Sequence, residues 1–140
     1  MKRFLTTLLL ASAFTLSACG ATMYSSKGSQ SKLESKGYSV EVYPYEEAKV
    51  RVDGLNYDTV TFTDALIATK DSGDDKDILL AFYFKSVSDA EKFLSDNNNY
   101  NIGQFGAFAN KELGKNLKAK MGSHNNVAYI GSETSFKIAF

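Results

Sequence analysis

The chain has 140 residues, with 16 Lys and Arg against 16 Asp and Glu, so it carries no formal net charge. That balance leaves no basic excess for phosphate backbones, and no nucleic-acid partner is expected. One cysteine excludes an intrachain disulfide, one histidine excludes a two-histidine metal site within one chain, and the length suits one domain rather than two.

Lys2 and Arg3 precede a stretch from Phe4 to Ala18 that is apolar apart from Thr6, Thr7, Ser12, Thr15 and Ser17. A basic end, a short apolar core and small residues before a cut make a secretory signal. The stretch falls short of the about 20 apolar residues that a membrane-spanning helix needs. It closes on Leu16-Ser17-Ala18-Cys19. This run resembles the motif of bacterial lipoproteins with a type II signal peptide: a Leu-like residue, then Ser or Ala, then Gly or Ala, then Cys. The resemblance implies that residues 1–18 are removed and that Cys19 becomes a diacylglyceryl-modified N-terminus. The partner it implies is membrane lipid, through the acylated Cys19. Each buried methylene adds about 0.8 kcal/mol, so two or three acyl chains hold a protein where one binds only marginally. An ordinary signal cut after Ala18 is the competing reading, and it leaves the position of the lone cysteine unexplained. Gly20 is not the Asp that usually retains such proteins in the inner membrane, so an outer-membrane location stays open if the host has two membranes. Removing residues 1–18 from 140 leaves 122, and takes two bases and no acid, for a charge of −2.

Gly20 to Ser31 is small and polar, and reads with Cys19 as a flexible tether over 19–31, spanning roughly 20 Å. A single domain is expected over 32–140. Gln30 to Lys36 suits a short helix ending at Gly37. Tyr38 to Tyr43 alternates as a strand, Pro44 ends it, and Tyr45 to Ala48 suits a helical turn. Lys49 to Asp53 reads as a short strand or a loop. Val60 to Lys70 is a strand whose phase breaks at Asp64, which predicts a bulge. Asp71 to Asp77 is a loop, and Ile78 to Phe84 is a strand apolar enough to be covered on both faces.

Ser86 opens a helix with Val87, Ala90, Phe93 and Leu94 on one face, and Asn97 to Asn99 stop it. A second helix is expected from about Gln104 to Met121, closed by Gly122. Asn126 to Ile130 is a strand. Ser132 is a cap that favours a last helix over Glu133 to Phe140, although Phe136, Ile138 and Phe140 also alternate as a strand would. The sum is an α+β domain: a small, mostly antiparallel sheet with helices packed chiefly on one face.

The acidic run Asp71, Asp74, Asp75 and Asp77 lacks calcium-loop spacing, since position twelve from Asp71 is Phe82. It reads as a solvated hairpin loop, and no metal site is expected. His124 sits in a Gly-Ser-His-Asn-Asn run and reads as an exposed turn residue; no Gly-x-Ser-x-Gly elbow marks a nucleophile. Glu46, Glu47, Asp64 and Glu112 are available as a glycosidase pair, with Asp64 the most unusual because it interrupts an apolar face. Gly103 and Gly106 lack the preceding strand and third glycine of a dinucleotide site. No catalytic residue and no cofactor are assigned. The candidate contact surface is aromatic: Tyr43, Tyr45, Tyr57, Tyr100 and Phe108, residue types enriched where proteins bind.

Leu33 with Gly37-Tyr38 before Val40 and Val42, then Ser88-Asp89-Ala90 with Phe93, then Tyr129-Ile130-Gly131-Ser132-Glu133, resemble small lipoproteins of Firmicutes-type bacteria over about residues 32–140. Ser132 stands where Thr is expected. The resemblance implies an envelope location and an α+β fold and carries no activity or site. The expected protein is therefore a membrane-anchored, extracytoplasmic binding or interaction module for an envelope protein or small ligand. The alternatives are a small hydrolase acting on wall glycan or peptide, and a surface inhibitor or assembly factor for another protein.

Overall fold

A computed structural model describes residues 22–52, 54–72, 75–98 and 120–140. Its strands are β1 (Ser39–Pro44), β2 (Asp64–Ser72), β3 (Asp75–Tyr83), β4 (Lys120–His124) and β5 (Val127–Gly131). Its helices are α1 (Ser26–Ser35), α2 (Tyr45–Arg51), α3 (Val87–Asp96) and α4 (Glu133–Ala139). The strands form one antiparallel sheet in the order β1-β2-β3-β5-β4, so the fold is α+β as expected. The apolar run Ile78 to Tyr83 occupies the centre and is buried throughout.

Burial on both faces of β3 requires cover on both, and the helices divide accordingly. Ala65, Ile67, Leu80, Phe82, Ala128 and Ile130 meet Ala48 of α2 and Ala90 and Phe93 of α3. On the other face Leu66, Ala68, Leu79, Ala81 and Val127 meet Leu33 of α1 and Ala139 of α4. Among the described residues the helices are thus shared two and two between the faces.

Several local expectations change. α1 begins at Ser26, so residues 26–31 belong to a helix rather than to the tether. Ser25 caps it by accepting from Gly28 N, and the small Ser29 lets α1 approach α4 closely enough to donate to Ala139 O at 3.3 Å. Its other end closes as expected on Gly37, with Tyr38 N donating to Leu33 O, Gly37 N to Glu34 O, and φ +90° at the glycine. Lys49 to Arg51 are helical, not strand or loop: Glu46–Lys49 and Glu47–Arg51 pair along the turn, and Val50 points to solvent while Ala48 and Val52 are buried. β2 starts at Asp64, so the phase break there is a strand beginning and not a bulge; Phe62 enters the core from the preceding segment. The acidic run is mostly strand, since β2 and β3 extend to Ser72 and Asp75 with Lys70 opposite Asp77.

α3 and α4 form as expected on Ser86 and Ser132, whose side chains accept from Asp89 N and Ser135 N. Met121 and Gly122, expected to end a helix, lie in β4. The helix expected from Gln104 lies outside the described residues up to 119. At one end of the sheet Pro44, Asp64, Tyr83, Val127 and His124 line up; at the other stand Ser39, Thr69, Leu79, Gly131 and Lys120.

Candidate functional site

Three of the five aromatic residues singled out in the sequence, Tyr43, Tyr45 and Tyr57, do converge, but on the core. Register places Tyr43 opposite Ala65, and its ring is buried under the guanidinium of Arg51 at 4.8 Å. Tyr45 and Tyr57 pack half-buried on Phe62, with ring centroids 4.7 and 5.9 Å away, and Tyr45 Oη donates to Tyr57 O at 3.2 Å. These three form the outer shell of one core cluster rather than a free contact patch. Tyr43 is buried rather than exposed because α2 folds back over its end of β1, while Ser39 and Glu41 on the same face stay exposed. Cys19, Tyr100 and Phe108, like Gly103, Gly106 and Glu112, lie outside the described residues.

The carboxylates are engaged structurally. Asp64 accepts from Ser26 Oγ and, at 3.1 Å, from Thr63 Oγ1, which fixes the start of α1 to the sheet. Glu46 and Glu47 pair within α2, and Asp77 accepts from Tyr38 Oη at 3.1 Å. Among the described residues no three His, Cys, Asp or Glu side chains gather into a metal-binding group.

A different aromatic layer covers β4, β5 and α4. His124, Gly122 and Lys120 share a face with Val127, Tyr129 and Gly131, their partners across the ladder. Gly122 has no side chain, so the Tyr129 ring lies across it: a Cβ there would stand 2.8 Å from Tyr129 Oη. Phe136 of α4 stacks on Tyr129 at 4.7 Å and 26°. One turn on, Phe140 follows, 5.5 Å from Phe136. His124 stands edge-on to Phe136 at 5.4 Å, and Tyr24 meets both His124, at 5.2 Å, and Phe140, at 5.3 Å. Such edge-on and stacked pairs contribute about 0.5–1.5 kcal/mol beyond area burial. Burial pushes the Tyr129 phenol above its ordinary pKa.

Two asparagines hold the segment that carries Tyr24 in this layer. Tyr24 N donates to Asn126 Oδ1 at 2.7 Å, and Asn126 Nδ2 donates to Tyr24 O and Phe84 O, each at 2.9 Å. Asn125 Nδ2 donates to Thr22 O at 2.7 Å. Tyr24 Oη and His124 Nε2 share a hydrogen bond at 3.1 Å. His124 is therefore a half-buried member of the layer and not an exposed turn residue; the turn itself is Asn125-Asn126, with Asn125 at φ +51°.

Beside the layer lies an open hollow of about 270 Å³, lined by Tyr129, Gly131, Ser132, Glu133, Phe136 and Lys137. Its floor is aromatic, and the Glu133–Lys137 pair, 3.4 Å apart, stands exposed at its rim. Ser132 Oγ is committed to Ser135, whose N–H it accepts. The hollow offers a flat apolar surface with one charge of each sign and no activated nucleophile.

The chain has no match among protein-family models, curated proteins or solved structures. The residues of this layer carry no joint signal in the sequence because each has a local role there: Tyr24 in a small polar stretch, His124 beside a turn, Tyr129 in a strand. The one local signal was Phe136 with Phe140, spaced to share a helix face.

Proposed function

We propose that this protein is a lipid-anchored, extracytoplasmic binding module whose contact site is the hollow between β5 and α4. The observation that carries the binding reading is the half-buried aromatic floor of Tyr129 and Phe136 with Glu133 and Lys137 at its rim. That combination suits a planar apolar group beside a charge, on a small ligand or on a partner protein's side chain. The anchor reading is supported by Leu16-Ser17-Ala18-Cys19 closing a short apolar run after Lys2 and Arg3. The hydrolase alternative draws no support from Asp64, whose carboxylate is taken up by Ser26 and Thr63.

Two experiments test the two halves. Cys19→Ser should abolish metabolic acyl labelling and release the protein from the membrane fraction; retention of both in the variant refutes the anchor. A photo-crosslinking side chain at Lys137 should capture one defined species in intact cells, while the same group at exposed Glu91 on α3 should not. Equal capture at both positions, or at neither, refutes the hollow as the contact site.

A further inference from the structure

The first described residues lie close in the chain to Cys19. Thr22 lies three residues after Cys19, which allows at most about 11 Å between them. Residues 22–24 do not swing free: Asn125 holds Thr22, and Asn126 holds both backbone groups of Tyr24. The attachment is to the β4–β5 turn, at the sheet end marked by Tyr83, Val127 and His124. Whatever holds Cys19 therefore holds that end of the sheet close to it.

The chemistry of this end fits a bilayer interface. Met23, 49% exposed, is one of two exposed large hydrophobic side chains among the described residues. Tyr24 follows it in the chain and packs against His124 and Phe140; all three rings are half-buried and two carry a polar atom. Rings with an apolar body and a polar tip partition to the headgroup level of membranes.

We propose that the end of the domain formed by Met23, Tyr24, the Asn125-Asn126 turn and Phe140 docks on the interface of the bilayer that anchors Cys19. The proposal rests on the anchoring reading. It gives the domain a fixed attitude, with the Ser39 and Thr69 end outermost and the hollow opening on the flank rather than into lipid. The loose 20 Å tether expected from composition would give no such attitude.

The test uses the full-length protein purified from membranes and placed in phosphatidylethanolamine–phosphatidylglycerol vesicles bearing a headgroup nitroxide lipid. With Cys19 acylated, an introduced cysteine is the only free thiol. A fluorophore is attached to Lys85→Cys, an exposed site next to Phe84 at the docking end, or to Ser39→Cys, exposed at the far end. Ser123→Cys on β4 gives a second docking-end probe. Vesicle flotation is measured first. The docking-end labels should lose most of their emission while the Ser39→Cys label keeps it. Equal or reversed quenching in protein that floats overturns the docking and leaves the anchor standing. Failure to float overturns both.

Discussion

Replacing Gly131 with alanine should cost about 2–6 kcal/mol of stability, from overpacking and weakened hydrogen bonds. A Cβ at this position would lie 2.7 Å from Leu79 Cδ1, 2.9 Å from Ile78 O and 3.1 Å from Ser135 Oγ. Leu79 is fully buried and Ile78 O is backbone, so neither yields by a simple rotation. Ile78 O also accepts from Ser132 N at 3.3 Å and from Ser135 Oγ at 3.2 Å, the bonds that seat α4 on the sheet. Overpacking a core costs about 1–3 kcal/mol, and two strained hydrogen bonds of about 0.5–1.5 kcal/mol each add to it. The melting temperature should fall by on the order of 10 °C. Gly122→Ala is the control. Its Cβ would also crowd a neighbour, Tyr129 Oη at 2.8 Å, but that is the free end of a ring that can swing aside. What is lost is chiefly the Tyr129–Phe136 stack, with the wider Tyr129–Phe140 contact, at about 1 kcal/mol. Urea unfolding of both variants in the Cys19→Ser background decides the matter. A Gly131→Ala variant no less stable than Gly122→Ala refutes the account of how α4 is seated.

Tyr83 Oη is buried and has no hydrogen-bond partner among the described residues, while the neighbouring Ser29 donates to Ala139 O. Tyr83→Phe should therefore hold or raise stability, by up to about 1 kcal/mol, because an unsatisfied buried hydroxyl is removed; a clear loss in thermal melts would show that the hydroxyl is bound. Burial, reinforced by the charge and hydrogen bond of Asp77, pushes the Tyr38 phenol up to about 12. A raised value in the folded state means that the Tyr38 contribution is complete below about pH 10 and is lost as pH rises toward 12. Asp77→Asn should lower the pH of the phenolate absorbance change, and an unmoved transition refutes the coupling. Asn126→Ala strips partners from Tyr24 N, Tyr24 O and Phe84 O. It should cost about 2–4 kcal/mol and speed amide exchange at Tyr24; unchanged exchange there would mean that Asn126 does not hold the segment.

Features set by neighbours in the chain were legible. Ser86 and Ser132 act through N–H groups three residues on, and Gly37 supplies a conformation that the end of α1 itself demands. The apolar run at Ile78 declared a strand covered on both sides because no alternation was left to divide. What local pattern does not carry is which face of an edge element is covered. Tyr43 alternates with Val40 and Val42 as a polar-face residue would, yet β1 lies between α1 on one side and α2 on the other, so Tyr43 is buried while Ser39 and Glu41, on the same face, stay exposed. Val50 and Val52 alternate like strand residues, but Ala48 and Val52 are also one helical turn apart, and the Glu46 and Glu47 pairs favour the helix.

The stretch from Thr22 to Ser31 shows why small polar sequences admit two opposite readings. Nothing in Thr22 to Ser31 except Tyr24 and Met23 has a large surface to bury, and by that measure the segment should stay loose. Its order is supplied from elsewhere: Asn125 and Asn126 capture residues 22 and 24, Asp64 takes Ser26 Oγ, and the Ala139 carbonyl takes Ser29 Oγ. Each partner lies far along the chain, so no window of neighbouring residues contains the information. The small size that suggests a tether is also what admits α1 to within hydrogen-bonding distance of α4. The same contacts bring Tyr24 to His124 and Phe140 and create the aromatic end on which the membrane proposal rests. A loose segment would leave that end unformed, so the ordering of residues 22–31 and the docking attitude stand or fall together.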